Sequence, residues 1–308
     1  MAQISAAQVK ELRERTGAGM MDCKSALTEA NGDFDEAVKV LRKKGLAAAG
    51  KKAGRVTSEG LVSTYISAST GVLVEVNCET DFVAKTDEFK KFVDTIGNLI
   101  LSSGVKDVES LMHQKFPNDP DGHTVEQALS GRIATVGENM SIRRFVSYRA
   151  GDHGLLATYV HAGGKIGVLV EIGAENAARK PQVETIAREV AMHIAAAEPR
   201  FVSREEVTAK DLDTEREVAR DQALKSGKPE AVVDKIVKGK LDKFFAETVL
   251  GEQPFVKDDK LTVSQYLQKA AADSDTKLEI RRFARYKLGE GIQPKNEDFA
   301  AEVAAQIK

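Results

Sequence analysis

Apolar residues first recur at helical spacing, in three short bursts, and then gather into strand-like runs. Val9 and Leu12 mark one helical face, with Ser5 and Gln8 as a capping box and Ile4 placed to staple Val9. A second helix is predicted from about Met20 to Ala30, ended by the "NG" pair Asn31–Gly32. Asp33 and Glu36 make a second box for "FDEAVKVLRKK", with a stop expected at Gly45. Three short helices bury only a small core. "LAAAGKKAGR" then reads as an Ala/Gly-rich linker.

From Val56 the chain repeats itself. "YISASTGVLVEVNCE" at Tyr65–Glu79 is echoed by "YVHAGGKIGVLVEIGAE" at Tyr159–Glu175, and "SIRRFVSY" at Ser141–Tyr148 by "EIRRFARY" at Glu279–Tyr286. Each copy reads strand, turn, strand, helix and, later, another strand. The helix after the first "GVLVEV" carries Phe89, Phe92, Val93, Ile96 and Ile100 at 3–4 spacing; after the second, Ile186, Val190, His193 and Ile194 do the same. Each copy is therefore expected to be a three-stranded sheet covered by helix. The second copy holds an insertion whose two helices meet at "SGKPE", with Gly227 suited to a C-cap and Pro229 to a first helical position. So short a loop makes them antiparallel neighbours. Their seam is expected to use Leu212 and Ala219 against Val233, Val237, Leu241 and Phe244. The predicted fold class is α+β: a three-helix module (1–45), a linker (46–55), core subdomains at 56–148 and 149–290 with a helical hairpin at about 204–248, and a C-terminal helical module (291–308).

Composition narrows the chemistry. At 42% hydrophobic, 30% charged and net charge −2, the chain is not a polyanion binder by bulk electrostatics. Cys23 and Cys78 form no CxxC pattern, which argues against a disulfide framework or zinc knuckle and suits a reducing cytoplasm. "MAQISAAQVKELRERTG" lacks the apolar core of a signal peptide, and no apolar run reaches the ~18 residues of a membrane span. "GLAAAGKK" at Gly45–Lys52 fits G-x-x-x-x-G-K, but Lys52 stands where a phosphate loop needs Ser or Thr. The histidines His113, His123, His153, His161 and His193 lack metal-ligand spacing. His193 reads as a packed core residue, and His161 as either structural or binding. No nucleophile, base and orienter assemble, so neither an enzyme, a cofactor nor a metal is expected, although catalytic groups converge in space rather than in sequence. Lys39, Arg42, Lys43, Lys44, Lys51, Lys52 and Arg55 form a basic stretch without acids or aromatics from Ala37 to Ser58. It reads as a solvated linker; the alternative is an RNA- or ribosome-binding protein that uses this stretch and the helical hairpin.

One corner resists the purely structural reading. "CETDFVAKTDEF" at Cys78–Phe89 puts Asp81 and Phe82 between a buried strand and the next helix. Phe82 either folds back onto the core or is offered to a partner. Aligning the two "GVLVE" strands sets Asp81 and Phe82 over Ala177 and Ala178, so the second copy closes the same corner without them.

"VKELRERTGAGMMDCKSALTEANGD", "EVNCETDFVAKTDEF", "IGVLV", "GEQPFV" at Gly251–Val256, "GEGI" and "DFAAEVAA" occur in the order found in bacterial elongation factor Ts, which the chain resembles along essentially its whole length. That resemblance implies a ubiquitin-associated-like N-terminal module, a coiled-coil hairpin and, in function, a cytoplasmic nucleotide exchange factor for elongation factor Tu. Such a factor binds no nucleotide and needs no contact with nucleic acid or membrane. By position, Asp81 and Phe82, flanked by Thr80 and Val83, match the pair that enters the GTPase domain near its magnesium. Val136 and His161 match partner contacts of the core, Met20 and Met21 those of the N-terminal module, and Phe299 that of the C-terminal helix. The loop His113–His123 is polar, Pro-rich and longer than the usual connection of the family.

Overall fold

The computed structural model describes residues 4–67, 69–175, 181–227 and 229–293. The chain begins with α1 (Ala6–Thr16), α2 (Met20–Glu29) and α3 (Phe34–Lys52). The first repeat follows: β1 (Glu59–Ser67), β2 (Thr70–Cys78), the single turn α4 (Asp81–Ala84), α5 (Asp87–Ser103), α6 (Val108–Met112), α7 (Val125–Val136) and β3 (Met140–Arg149). The second begins with β4 (Gly154–His161), β5 (Ile166–Ala174) and α8 (Pro181–Ala197). It continues through the hairpin α9 (Ala209–Lys225) and α10 (Glu230–Thr248), then β6 (Pro254–Phe255), β7 (Asp258–Thr262), α11 (Val263–Ser274) and β8 (Leu278–Lys287). Two three-stranded sheets, ordered β1-β2-β3 and β4-β5-β8, and one β6-β7 pair make the fold α+β, as expected. The chain groups into two compact units: residues up to 63 with 74–145 and those from 287 onward, and residues 64–73 with 146–286.

In the first unit the N-terminal module closes over Val9, Leu12, Cys23, Ala26, Leu27 and Ala37, with Ile4 partly buried against them. Ser5 caps α1 in a complete capping box. Asp33 accepts from Glu36 N–H, but the Glu36 carboxylate turns to Lys39 (2.6 Å) instead of closing the second box. The expected stop at Gly45 is absent, and the segment expected as linker is helical through Lys52. Gly45 is a packing residue rather than a cap. A Cβ there would meet Ser130 O at 3.7 Å and Gly131 Cα at 3.8 Å, ordinary contact distances, so a residue no larger than alanine lets α3 lie this close to α7. The Lys52 ammonium donates to Ile133 O (3.3 Å) at the far end of that contact. Helix α5 buries Phe89, Phe92, Val93, Ile96 and Ile100 as its spacing predicts. The Pro-rich loop is held down by Asp119–His123 (2.7 Å) and by Arg15–Asp121 (2.5 Å), which ties it to α1.

The second unit is built on β5, paired antiparallel with β4 from Gly154↔Gly173 to His161↔Ile166. Val168, Val170 and Ile172 share one core with Ile186, Val190 and Ile194 of α8 and with Leu250, Phe255 and Val263. His193 is fully buried, as read. Its Nδ1 accepts from Val256 N–H (3.1 Å), which leaves Nε2–H to donate to Gln253 Oε1 (3.0 Å). In the hairpin Ala219 and Ala223 meet Val233 and Val237, whereas Leu212 and Phe244 belong to a separate cluster with Val207 and Val249. Pro229 is the N-cap of α10 and not its first helical residue.

Each sheet carries the same buried clamp. In the first unit Glu75 of β2 is 0% exposed; Arg143 Nη1 (2.9 Å), Arg144 Nε (2.7 Å) and Gly289 N–H (2.8 Å) donate to it. In the second Glu171 of β5 is 3% exposed; Arg281 Nη1 (3.3 Å), Arg282 Nε (2.7 Å) and Gly151 N–H (2.8 Å) donate to it. Burial opposes ionisation of both carboxyls, but the glycine N–H groups and the arginines outweigh it and hold both pKa values below the ordinary carboxylate value. The remaining guanidinium donors reach the carbonyls of Lys287 and Glu290 in the first clamp and of Arg149 and Asp152 in the second.

Candidate functional site

The corner after β2 is fixed by two acidic residues and the turn that follows α7. Thr80 is the N-cap of α4, its Oγ1 accepting from Val83 N–H (3.4 Å). The same hydroxyl donates to Glu138 Oε1 (2.6 Å), while Thr80 N–H donates to Glu138 Oε2 (3.0 Å). In the opposite sense Asn139 N–H donates to Glu79 Oε1 (2.5 Å), which Arg55 also reaches (3.4 Å). The Cys78 thiol beneath the turn is buried and donates to Thr80 O (3.1 Å). Burial and then the nearby Glu138 and Glu59 push its pKa up to about 12, so it stays a neutral thiol.

This frame presents Phe82 outward. Ala84 is 5% exposed and fills the inward side of α4, and a residue two positions earlier lies roughly 200° around the helix. Phe82 is accordingly 80% exposed, the most exposed large hydrophobic residue among those described. Asp81 is 45% exposed and pairs with Lys85 at 2.5 Å. Val83 is half-buried. Val136 is 37% exposed at the end of α7, two residues before the Glu138 that holds Thr80. The structure therefore brings Thr80, Asp81, Phe82, Val83 and Val136 into one neighbourhood. Met20 and Met21 are exposed at 46% and 75% at the start of α2, within the same unit. His161 belongs to the second unit, exposed at the end of β4, with Nδ1 3.1 Å from Tyr159 Oη. Phe299, Ala177 and Ala178 lie outside the described residues.

Other candidate chemistry resolves differently. "GLAAAGKK" lies inside α3, where its backbone N–H groups serve the helix and cannot form a phosphate nest. Of the seven basic residues at 39–55, Lys39, Lys44, Lys52 and Arg55 are engaged by Glu36, by Ser25 and Glu29, by Ile133 O and by Glu79. Asp119, Asp121 and His123 bring potential metal-ligand atoms within 4.8 Å of one another, but Asp121 already pairs with Arg15 and Asp119 with His123. Among the described residues no helix is long and apolar enough to cross a membrane. The sequence reading missed Glu79, Glu138 and Asn139. Glu138 stands 58 residues from its partner Thr80, and no local periodicity announces such a pair.

Comparison with known proteins decides the family. A family model described as Elongation factor TS matches residues 79–290, more than half the chain. The chain belongs to the elongation factor Ts family. Among its relatives, elongation factor Ts of Clostridium botulinum (strain Eklund 17B / Type B) is 49% identical over 306 residues, covering 99% of each chain. Elongation factor Ts of Rhodospirillum rubrum is 49% identical over 313 residues, covering 100% of each, and that of Trichlorobacter lovleyi is 49% identical over 306 residues, covering 98% of each. Membership in the elongation factor Ts family makes the chain a translation elongation factor.

Proposed function

We propose that the chain is a guanine nucleotide exchange factor that binds elongation factor Tu in its GDP-bound form and promotes GDP release, after which GTP rebinds. The observation that carries this reading is Phe82, 80% exposed on a turn whose backbone is held by Glu138 and Glu79. A free aromatic ring on a fixed turn is suited to insertion. Magnesium demands near-ideal octahedral geometry, so a small displacement of its ligands loosens both the ion and the phosphates it bridges. Phe82, wedged between helices of the GTPase domain, holds that displacement, and Asp81 adds charge and hydrogen bonding beside it. Exchange proceeds by binding alone, with no covalent chemistry on this chain, no cofactor and no nucleic-acid or membrane contact, in the cytoplasm. Met20, Met21, Val136, His161 and Phe299 supply the rest of the docking surface. The coupling is reciprocal: the factor by which the chain loosens GDP is the factor by which returning nucleotide loosens the chain. The engaged basic residues of α3 weigh against RNA as the main partner.

The test is the release rate of a fluorescent GDP analogue from elongation factor Tu, with wild type and with Asp81→Ala/Phe82→Ala. Full burial of a phenylalanine contributes about 1.5–3 kcal/mol, so removing Phe82 is expected to slow release roughly 10- to 150-fold. Equal acceleration by both proteins would return Phe82 to a structural role. No acceleration by wild type would sink the exchange reading, and salt-dependent RNA binding would be measured next.

A further inference from the structure

We propose that Glu138 is a positioning residue for exchange: through Thr80 it fixes the direction in which α4 offers Phe82. The inference rests on the exchange reading and extends it to a residue that need not touch the partner. Both carboxylate oxygens of Glu138 are engaged with Thr80, one by the N–H (3.0 Å) and one by the hydroxyl (2.6 Å). A threonine hydroxyl otherwise rotates to suit its surroundings. With its proton committed to Glu138, its lone pairs are turned toward Val83 N–H, so the carboxylate also sets the N-cap of α4. Phe82, at 80% exposure, has almost no packing of its own to orient it, and its direction comes from the backbone of this turn.

Glu138 is in turn held by a rigid support. It follows the left-handed Gly137 that ends α7, and α7 is anchored by buried Leu129, Ser130 and Ile133 and by its close contact with α3.

The second repeat supplies an internal control. Aligning "SIRRFVSY" with "EIRRFARY" sets Gly137, Glu138 and Asn139 over Asp275, Thr276 and Lys277. Asp275 ends α11 in the same left-handed conformation that Gly137 adopts at the end of α7. The Lys277 ammonium pairs with Glu175 (3.3 Å) where the backbone N–H of Asn139 donates to Glu79, so the carboxylate at this position is engaged from the aligned residue in each copy, by a different donor. At the inner position Thr276 stands in place of Glu138, so the second copy has no carboxylate there. The copy with the carboxylate is the copy with Asp81 and Phe82.

The experiment measures release of the fluorescent GDP analogue from elongation factor Tu across a concentration series, giving a maximal rate and a half-saturating concentration. The proteins are wild type, Phe82→Ala, Glu138→Gln, Thr80→Val and Thr80→Ser, each with a thermal melt and amide exchange at Val83 and Ala84. Docking through the rest of the surface precedes insertion, so a loosened turn lowers the maximal rate and leaves half-saturation within about twofold. Losing one charge-assisted hydrogen bond predicts a drop of about tenfold or more for Glu138→Gln and Thr80→Val, with faster exchange at Val83 and melts lowered by only a few degrees. Thr80→Ser, which keeps the hydroxyl, is expected to stay within about twofold of wild type. Thr80→Val leaves the charge of Glu138 in place, so a wild-type rate in that variant beside a slow Glu138→Gln would overturn positioning in favour of charge. Wild-type rates in both, with Phe82→Ala slow, would overturn the proposal and leave the exchange reading standing. Raised half-saturation with an unchanged maximal rate, beside lowered melts, would assign Glu138 to stability alone and overturn it too. No acceleration by wild type would overturn both readings together.

Discussion

Replacing Glu75 with glutamine keeps the shape of a fully buried side chain and removes the charge shared by Arg143 and Arg144. The amide offers one acceptor oxygen where the carboxylate has two, and its NH2 must face an arginine donor. Breaking one side of a buried ion pair costs about 3–5 kcal/mol. Arg143 and Arg144 are 26% and 31% exposed, so water recovers part of that, and a loss of about 2–3 kcal/mol is expected. Urea unfolding reads it as a lowered midpoint at constant slope. Glu171→Gln, with the matching set of donors, is expected to cost a similar amount. The acid limb gives a second reading. Because the folded pKa of Glu75 is depressed, its contribution is complete above the unfolded carboxylate value of about 4.3 and is lost as pH falls through the folded value. Glu75→Gln has no such slope to lose at this position. A loss under about 1 kcal/mol, the level of an exposed ion pair, would refute the clamp as a stabilising unit.

Gly45→Ala is expected to stabilise by about 0.5–1 kcal/mol in thermal melts, since a Cβ there meets ordinary contact distances and alanine favours the helix; Gly45→Leu is expected to push α3 off α7 and destabilise. Burial lowers the His193 pKa against the opposing Gln253 hydrogen bond, so its stability contribution is full above the ordinary value of about 6.5 and is lost as pH falls through the folded value. Melts between pH 7 and 5.5 are expected to decline, and His193→Gln to flatten that decline while costing stability throughout. With only about a fifth of its surface covered, Phe82→Ala is expected to change the free protein's stability by about 0.3–0.6 kcal/mol, against about 3–5 kcal/mol for the fully buried Phe92→Ala. A large loss of stability in Phe82→Ala would show that the ring packs at home.

The local signals in this sequence survived folding where backbone chemistry is local. Ser5–Gln8 caps α1, the 3–4 spacing of α5 buries Phe89, Phe92, Val93, Ile96 and Ile100 as a stripe, and the echoed strands form two sheets of matching order. Gly45 failed as a stop because a glycine in a run of alanines and lysines has two meanings. Only the position of α7, some 80 residues further along, selects close packing over capping. The candidate site was legible in part: the missing counterpart of Asp81–Phe82 in the second repeat singled out the corner at which Phe82 stands exposed. Its support was hidden, because Glu138 reaches Thr80 across 58 residues and a lone acid after a helix looks like any solvated turn. The arginine pairs of "SIRRF" and "EIRRF" were visible as a repeat, but their burial against Glu75 and Glu171 depends on strand pairing across the sheet.

The clamps also fix an order of completion during synthesis. Glu171 of the second repeat waits for Arg281 and Arg282 but has its backbone donor, Gly151, before it emerges, whereas Glu75 of the first repeat has its backbone donor only in Gly289. A chain growing from its N-terminus therefore makes the first sheet early and finishes it late, holding the Glu75 carboxylate without its backbone donor until more than 200 further residues have been added. The unit that carries Phe82 therefore reaches its final form only once residues 287–290 have been made.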